Sequence, residues 1–123
     1  MGTIFSIAIG GAIGAIGRYF LMGAIGSTGF PLATIAVNII GSFILGSLLE
    51  ISALSWSMSE NMRAFLVVGC LGAFTTFSTF SMDVIYLMQK GEALKAALYI
   101  SLSVSLSVIA FAAGMYLFRY ILN

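Results

Sequence analysis

Residues 64–82 read Ala-Phe-Leu-Val-Val-Gly-Cys-Leu-Gly-Ala-Phe-Thr-Thr-Phe-Ser-Thr-Phe-Ser-Met, with Arg63 before them and Asp83 after. The run carries no charge, and it approaches the length of about 20 mostly apolar residues that a helix needs to cross a bilayer. Its second half is unlike an ordinary span. Five hydroxyls and three Phe side chains stand between Gly72 and Ser81. Ser and Thr bond to nearby backbone and compete with the helix ladder, and Gly72 weakens the helix further. The stretch therefore predicts a membrane helix with a break or kink near its middle. Broken backbone at that depth survives only where protein or a water-filled cavity covers it. Carbonyls freed at a break suit a small cation, and freed N–H groups and hydroxyls suit an anion. The competing reading is an unbroken Ser/Thr-rich helix packed tightly against its neighbours.

The rest of the chain has the same character. Residues 1–17, 19–49 and 96–118 are also uncharged. Four spans fit, at 3–24, 32–54, 64–88 and 94–119, as one all-α transmembrane domain over residues 1–123. The breaks between them are the turn-rich Gly26–Gly29 closed by Pro31, then Ser55–Asn61, then Gln89–Glu92. Pro31 suits a first helical turn and Gly91 a helix end. The first span lacks a positive region before it and is read as a retained helix rather than a signal peptide. A β-barrel is disfavoured, because the apolar stretches are long and do not alternate.

Composition supports the membrane reading and excludes much else. Only 7% of the 123 residues are charged and 61% are hydrophobic, with a mean hydropathy of +1.15. Soluble domains carry about 25% charged residues. A net charge of +1 from five scattered cations makes no patch for nucleic acid. With no His and one Cys, Ser-His and Cys-His catalytic pairs and His-ligated metal sites are absent. Asp83 or Glu50 alone would have to carry any catalysis, so the chain reads as a non-enzyme.

Five cations bear on orientation. Arg63 and Arg119 fall on one side; Lys90 and Lys95 fall on the other, with Arg18 near the end of span 1. The positive-inside rule needs an excess, and here the two sides nearly balance. The balance permits insertion both ways up, and hence an antiparallel homodimer. A weak bias, or a partner that sets topology, is the alternative. A four-helix chain leaves little room for an aqueous path, which also favours a dimer for a transporter. Gly10 and Gly14 form a Gly-x-x-x-Gly on span 1, and Ser42 and Gly46 extend a small-residue stripe on span 2, so backbones can approach closely.

Polar side chains inside spans need a reason. Asn38 shares a helix face with Ser42 and Gly46; its amide either bonds a neighbouring helix or lines a path. On span 4, Tyr99, Ser103 and Ser107 form one stripe and Ser101 and Ser105 another, serving either as helix-helix glue or as a ladder of hydroxyls. Phe77 and Phe80 share a face if helix resumes after the break. Arg18 either snorkels to the interface or draws an anion toward a vestibule. Asp83 and Glu50 lie near span ends and are expected to reach headgroup water. Cys70 reads as a small packing residue, and Trp56, Tyr86, Tyr116 and Tyr120 as interface anchors. The inventory is rich in donors: an amide, hydroxyls, one Arg and the electropositive edges of Phe rings. With no deep carboxylate expected, it favours a small anion over a cation.

The block Gly72-x-x-Thr-Thr-Phe-Ser-Thr-Phe-Ser81 resembles the signature of the Fluc (CrcB-type) fluoride channels. Gly14-x-x-x-Arg18-Tyr19 is similar to that family's first helix, Thr34-x-x-x-Asn38 followed by Gly41 to its second-helix motif, and Tyr99, Ser103 and Ser107 to its fourth-helix polar track. The resemblance covers the whole chain. It implies a multi-pass protein of the cell membrane, in contact with lipid, that forms a dual-topology homodimer with two fluoride pathways. Phe77 and Phe80 would present ring edges to fluoride, Asn38 an amide N–H, and Thr79, Tyr99, Ser103 and Ser107 hydroxyls. Arg18 would attract the ion from a vestibule. The carbonyls of Gly72 and Thr75 from both subunits would hold a structural sodium ion at the dimer centre. The family would let fluoride leak passively out of the cytoplasm. Two positions depart from its pattern: Ser107 stands where the track can end in Thr, with Phe111 closing the next turn, and Asp83 stands where Glu is frequent. The rivals are a small proton-coupled multidrug exporter, which needs an embedded carboxylate, and a purely structural membrane subunit.

Overall fold

The computed structural model describes residues 1–26 and 29–123. Ser27 and Thr28, in the first expected turn, lie outside the described residues. Among the described residues the chain is helical without strands. Helix α1 spans Gly2–Ile25 and α2 spans Leu32–Leu54. The third crossing is composite. A single turn, α3 (Glu60–Arg63), runs into a π-helical stretch, Ala64–Leu71, and then another short turn, α4 (Gly72–Phe74). The helix stops at Thr75, which is extended (φ −83°, ψ 158°), and resumes as α5 (Ser78–Gln89). Helix α6 spans Ala93–Leu122. Four of these units, Gly2–Ile25, Leu32–Leu54, Glu60–Gln89 and Ala93–Leu122, are long and apolar enough to cross a membrane.

The helix ends follow local chemistry. The expected connection at 55–61 is shorter than read, because Ser59 caps α3: its hydroxyl accepts from the Met62 N–H at 3.1 Å. After α5, Gly91 adopts φ +75°. That conformation lets the Gly91 N–H reach the Met88 carbonyl and the Glu92 N–H the Leu87 carbonyl, at 3.0 and 2.9 Å. This is the Schellman closure that glycine permits. Two residues after Gly91 the chain is already in α6.

Two side-by-side helix pairs make the bundle, and in each the partners run in the same direction. Helix α1 lies on the first half of the third crossing. The Thr3 hydroxyl donates to Asn61 at 2.9 Å, and a Cβ on Gly10 or Gly14 would strike the backbone of Phe65 or Cys70 respectively. Helix α2 lies along α6 in the most extensive pairing of the molecule, with Gly46 against the backbone of Phe111 and Gly114 against that of Phe43. The expected close approach through small residues is therefore spent inside the subunit at these positions.

Glu50 and Asp83, expected near span ends to reach headgroup water, are both engaged by protein partners instead. Glu50 is 7% exposed and accepts from the Arg119 guanidinium, Nε to Oε1 at 2.7 Å. Arg119 in turn lies over the Tyr116 ring, 5.1 Å from its centroid. Asp83 is likewise engaged, as described below.

Candidate functional site

The break at Thr75–Phe77 frees backbone groups, and their destinations can be followed one by one. In a continuous helix the Thr76 N–H would bond the Gly72 carbonyl. It goes instead to Asn38 Oδ1 at 2.8 Å, while Asn38 Nδ2 donates to the Thr76 carbonyl at 3.0 Å. The Thr79 N–H would bond the Thr75 carbonyl; it goes instead to Thr76 Oγ1 at 3.2 Å. Asn38 therefore clamps the break with both ends of its amide, and one of its two N–H donors remains for another acceptor. Gly72 itself stays helical; the hydroxyl-dense segment after it breaks, with Thr75 Oγ1 bonded back to the Leu71 carbonyl at 2.9 Å.

Next to the break is a groove of about 370 Å³ between α2, α6 and the third crossing. Asn38 and Ser42 border it from α2, Gly72, Thr75, Phe77 and Phe80 from the crossing, and Ser103 and Ser107 from α6. Among the described residues no carboxylate borders it. The Ser103 hydroxyl is buried and without a hydrogen-bond partner, an arrangement that costs about 1–3 kcal/mol unless something accepts from it. Phe77 and Phe80 touch, with ring centroids 5.3 Å apart, but they do not share one environment. Phe80 is 9% exposed and Phe77 76%, because Phe77 stands just before helix resumes.

Tyr99 and Thr79 are placed apart from the groove. Tyr99 is wholly buried, its ring 5.2 Å from that of Phe80 and edge-on to that of Phe30. Its hydroxyl donates to Asp83 Oδ2 at 2.8 Å, and the Thr34 hydroxyl donates to the same oxygen at 2.7 Å. Asp83 thus joins α2, α5 and α6 at one carboxylate. Beyond it opens a second cavity of about 730 Å³, bordered by Arg18, Tyr19, Thr34, Thr79, Asp83 and Lys90. Phe80 borders the groove and Asp83 the cavity, and Tyr99 touches both residues. Thr34 and Asp83 as bonded partners escape a reading of the sequence, because 49 positions separate them. Among the described residues there is no cluster of His, Cys, Asp and Glu that would hold a metal.

Residues 5–115 match the family model described as CrcB-like protein, Camphor Resistance (CrcB). A protein of Idiomarina loihiensis is 52% identical over 117 residues, covering 93% of this chain and 90% of its own. One of Rhodospirillum centenum is 43% identical over 122 residues, covering 97% of both, and one of Geobacter sulfurreducens is 42% identical over 118 residues, covering 94% and 95%. Each is named fluoride-specific ion channel FluC. A channel is a transporter and not an enzyme, and these relatives are bacterial. With four membrane-crossing helices in the same order as the motifs read from its sequence, this multi-pass membrane chain belongs to the CrcB family.

Proposed function

We propose that the chain is a passive fluoride channel that works as an antiparallel homodimer inserted in both orientations. The observation that carries the reading is the groove. It gathers an amide, three serines and the Phe77 and Phe80 rings, holds one buried hydroxyl with no partner, and has no carboxylate on its rim among the described residues. Fluoride is small and strongly hydrated, and it enters only where donors replace its water, as filter carbonyls do for potassium. The free N–H of Asn38 and the hydroxyls of Ser103 and Ser107 are such donors. Phe80 and Phe77 offer ring edges, Phe77 from an exposed position that suits a face shared with a second subunit. Arg18, beside Thr79 in the wide cavity, supplies a positive field at an entrance. Tyr99 acts through Asp83, tying the border of the cavity to that of the groove.

The Gly72 and Thr75 carbonyls have lost the N–H groups that a continuous helix would supply, so they fit a hard monovalent cation. In the dimer, the same pair from each subunit would hold a structural sodium ion and tie the two breaks together. The driving force needs no coupling. Hydrogen fluoride crosses lipid as a neutral acid and dissociates inside, and an interior-negative potential pushes the anion out with about 2.3 kcal/mol per 100 mV. The multidrug-exporter alternative finds no support, since its deep carboxylate is missing from the groove.

The test is fluoride efflux from liposomes carrying purified protein, with a potassium ionophore to carry the counter-charge. Rapid fluoride release with negligible chloride release is expected. Absence of fluoride release would overturn the channel reading, and equal chloride release would overturn the selectivity.

A further inference from the structure

Helices α2 and α6 run side by side. At one end Thr34 and Tyr99 meet on the same oxygen of Asp83. Toward the other end Gly46 sits on the backbone of Phe111. Between these two levels lie Asn38 and Ser42 on α2 and Ser103 and Ser107 on α6. All four border the groove.

Some hydroxyls of the bundle turn back onto their own helix: Ser47 donates to the Phe43 carbonyl at 2.8 Å and Ser81 to the Phe77 carbonyl at 3.0 Å. Ser103, 3% exposed, borders the groove with its hydroxyl buried and without a hydrogen-bond partner. Leu45 and Val108 also border the groove.

We propose that Ser42 is a further specificity-determining residue of this pathway: its hydroxyl, with that of Ser107, forms an anion-holding rung one turn beyond Asn38. The role expected of α6 serines as a one-sided track becomes a two-walled one. An ion at this level receives donors from both helices, where a single wall would leave half its hydration shell to be shed without replacement.

The proposal rests on the channel reading, and its test separates the two. Ser42→Thr keeps the hydroxyl; Ser42→Val has the same shape without it. Initial fluoride efflux from liposomes is measured for wild type and both variants, with chloride in parallel. A hydrogen bond to a charged group lost from the path predicts efflux about tenfold slower for Val than for Thr, with Thr close to wild type and elution from a sizing column unchanged. Equal efflux from Thr and Val overturns the role of Ser42 while leaving the channel in place. An inactive wild type fails the channel reading instead, and the role of Ser42 falls with it. If the larger side chains prevent insertion, Ser42→Ala against wild type decides the matter: slower efflux supports the rung, and unchanged efflux overturns it.

Discussion

At the scale of single residues, Asn38 has the heaviest duty in the structure. Both polar atoms of its amide close the gap where the third crossing opens, on Thr76 N–H and carbonyl. Asn38→Ala leaves two backbone groups without partners at a place where water does not reach freely. Each such loss costs about 1–3 kcal/mol. The expected outcome is a clear drop in the temperature at which detergent-solubilised protein loses its sharp elution peak, together with loss of fluoride efflux. An Asn38→Ala protein as heat-resistant as wild type would show that the clamp contributes nothing. Asp83 teaches a related lesson. Read as a span-end charge, it turns out to be a junction of three helices, and its short side chain fits because Thr34 and Tyr99 both come to it.

Among the elements, the third crossing shows what a sequence displays and what it conceals. Its break is legible in the residues, because the density of hydroxyls between Thr75 and Ser81 offers the backbone alternatives to the helix. The π-helical stretch Ala64–Leu71 is not legible. Its residues are ordinary apolar ones, and the wider winding goes with the way α1 lies against it. The position of Asn38 was legible as a polar residue in a span, but its bond to a segment 38 positions away was not. Such bonds depend on the pairing of helices, which local patterns do not carry. The α1 contact can be tested directly. Gly14 leaves no room for a Cβ against Cys70, whereas Gly11, on another face of the same helix, meets nothing within 4 Å. Gly14→Val is expected to lose about 1–3 kcal/mol of stability through overpacking, and Gly11→Val to retain wild-type thermal resistance unless that face meets a second subunit. Thermal unfolding followed by size-exclusion chromatography reads both.

For the molecule as a whole, the small number of charges was legible as a membrane signature, and the four crossings follow from where those charges interrupt the apolar runs. What the charges do was less visible. Arg119 is taken up by Glu50, and Lys95 lies 3.0 Å from Glu92. Neither pairing restores an excess of cations on one side, so dual insertion remains the expectation. A reporter fused after Asn123 tests it. Comparable signal from a cytoplasmic and a periplasmic reporter is expected, and signal from only one would refute insertion in both orientations. Exposed Phe5, Ile9, Ile13, Ile16 and Phe20 on α1 belong to the same scale, since a face of that kind is stable only against lipid or another apolar surface.

The pairing of α2 with α6 has a consequence for the birth of the protein. A ribosome delivers α2 long before α6, and the two are the farthest-separated partners in the bundle. Until α6 arrives, Glu50 has no counter-charge, the α2 glycines have no backbone to rest on, and the two-walled groove does not exist. Long-range contacts of this kind are slow to form, so the α2–α6 pairing is expected to be a late step. Arg119, delivered long after Glu50, closes the ion pair on a helix already in the membrane.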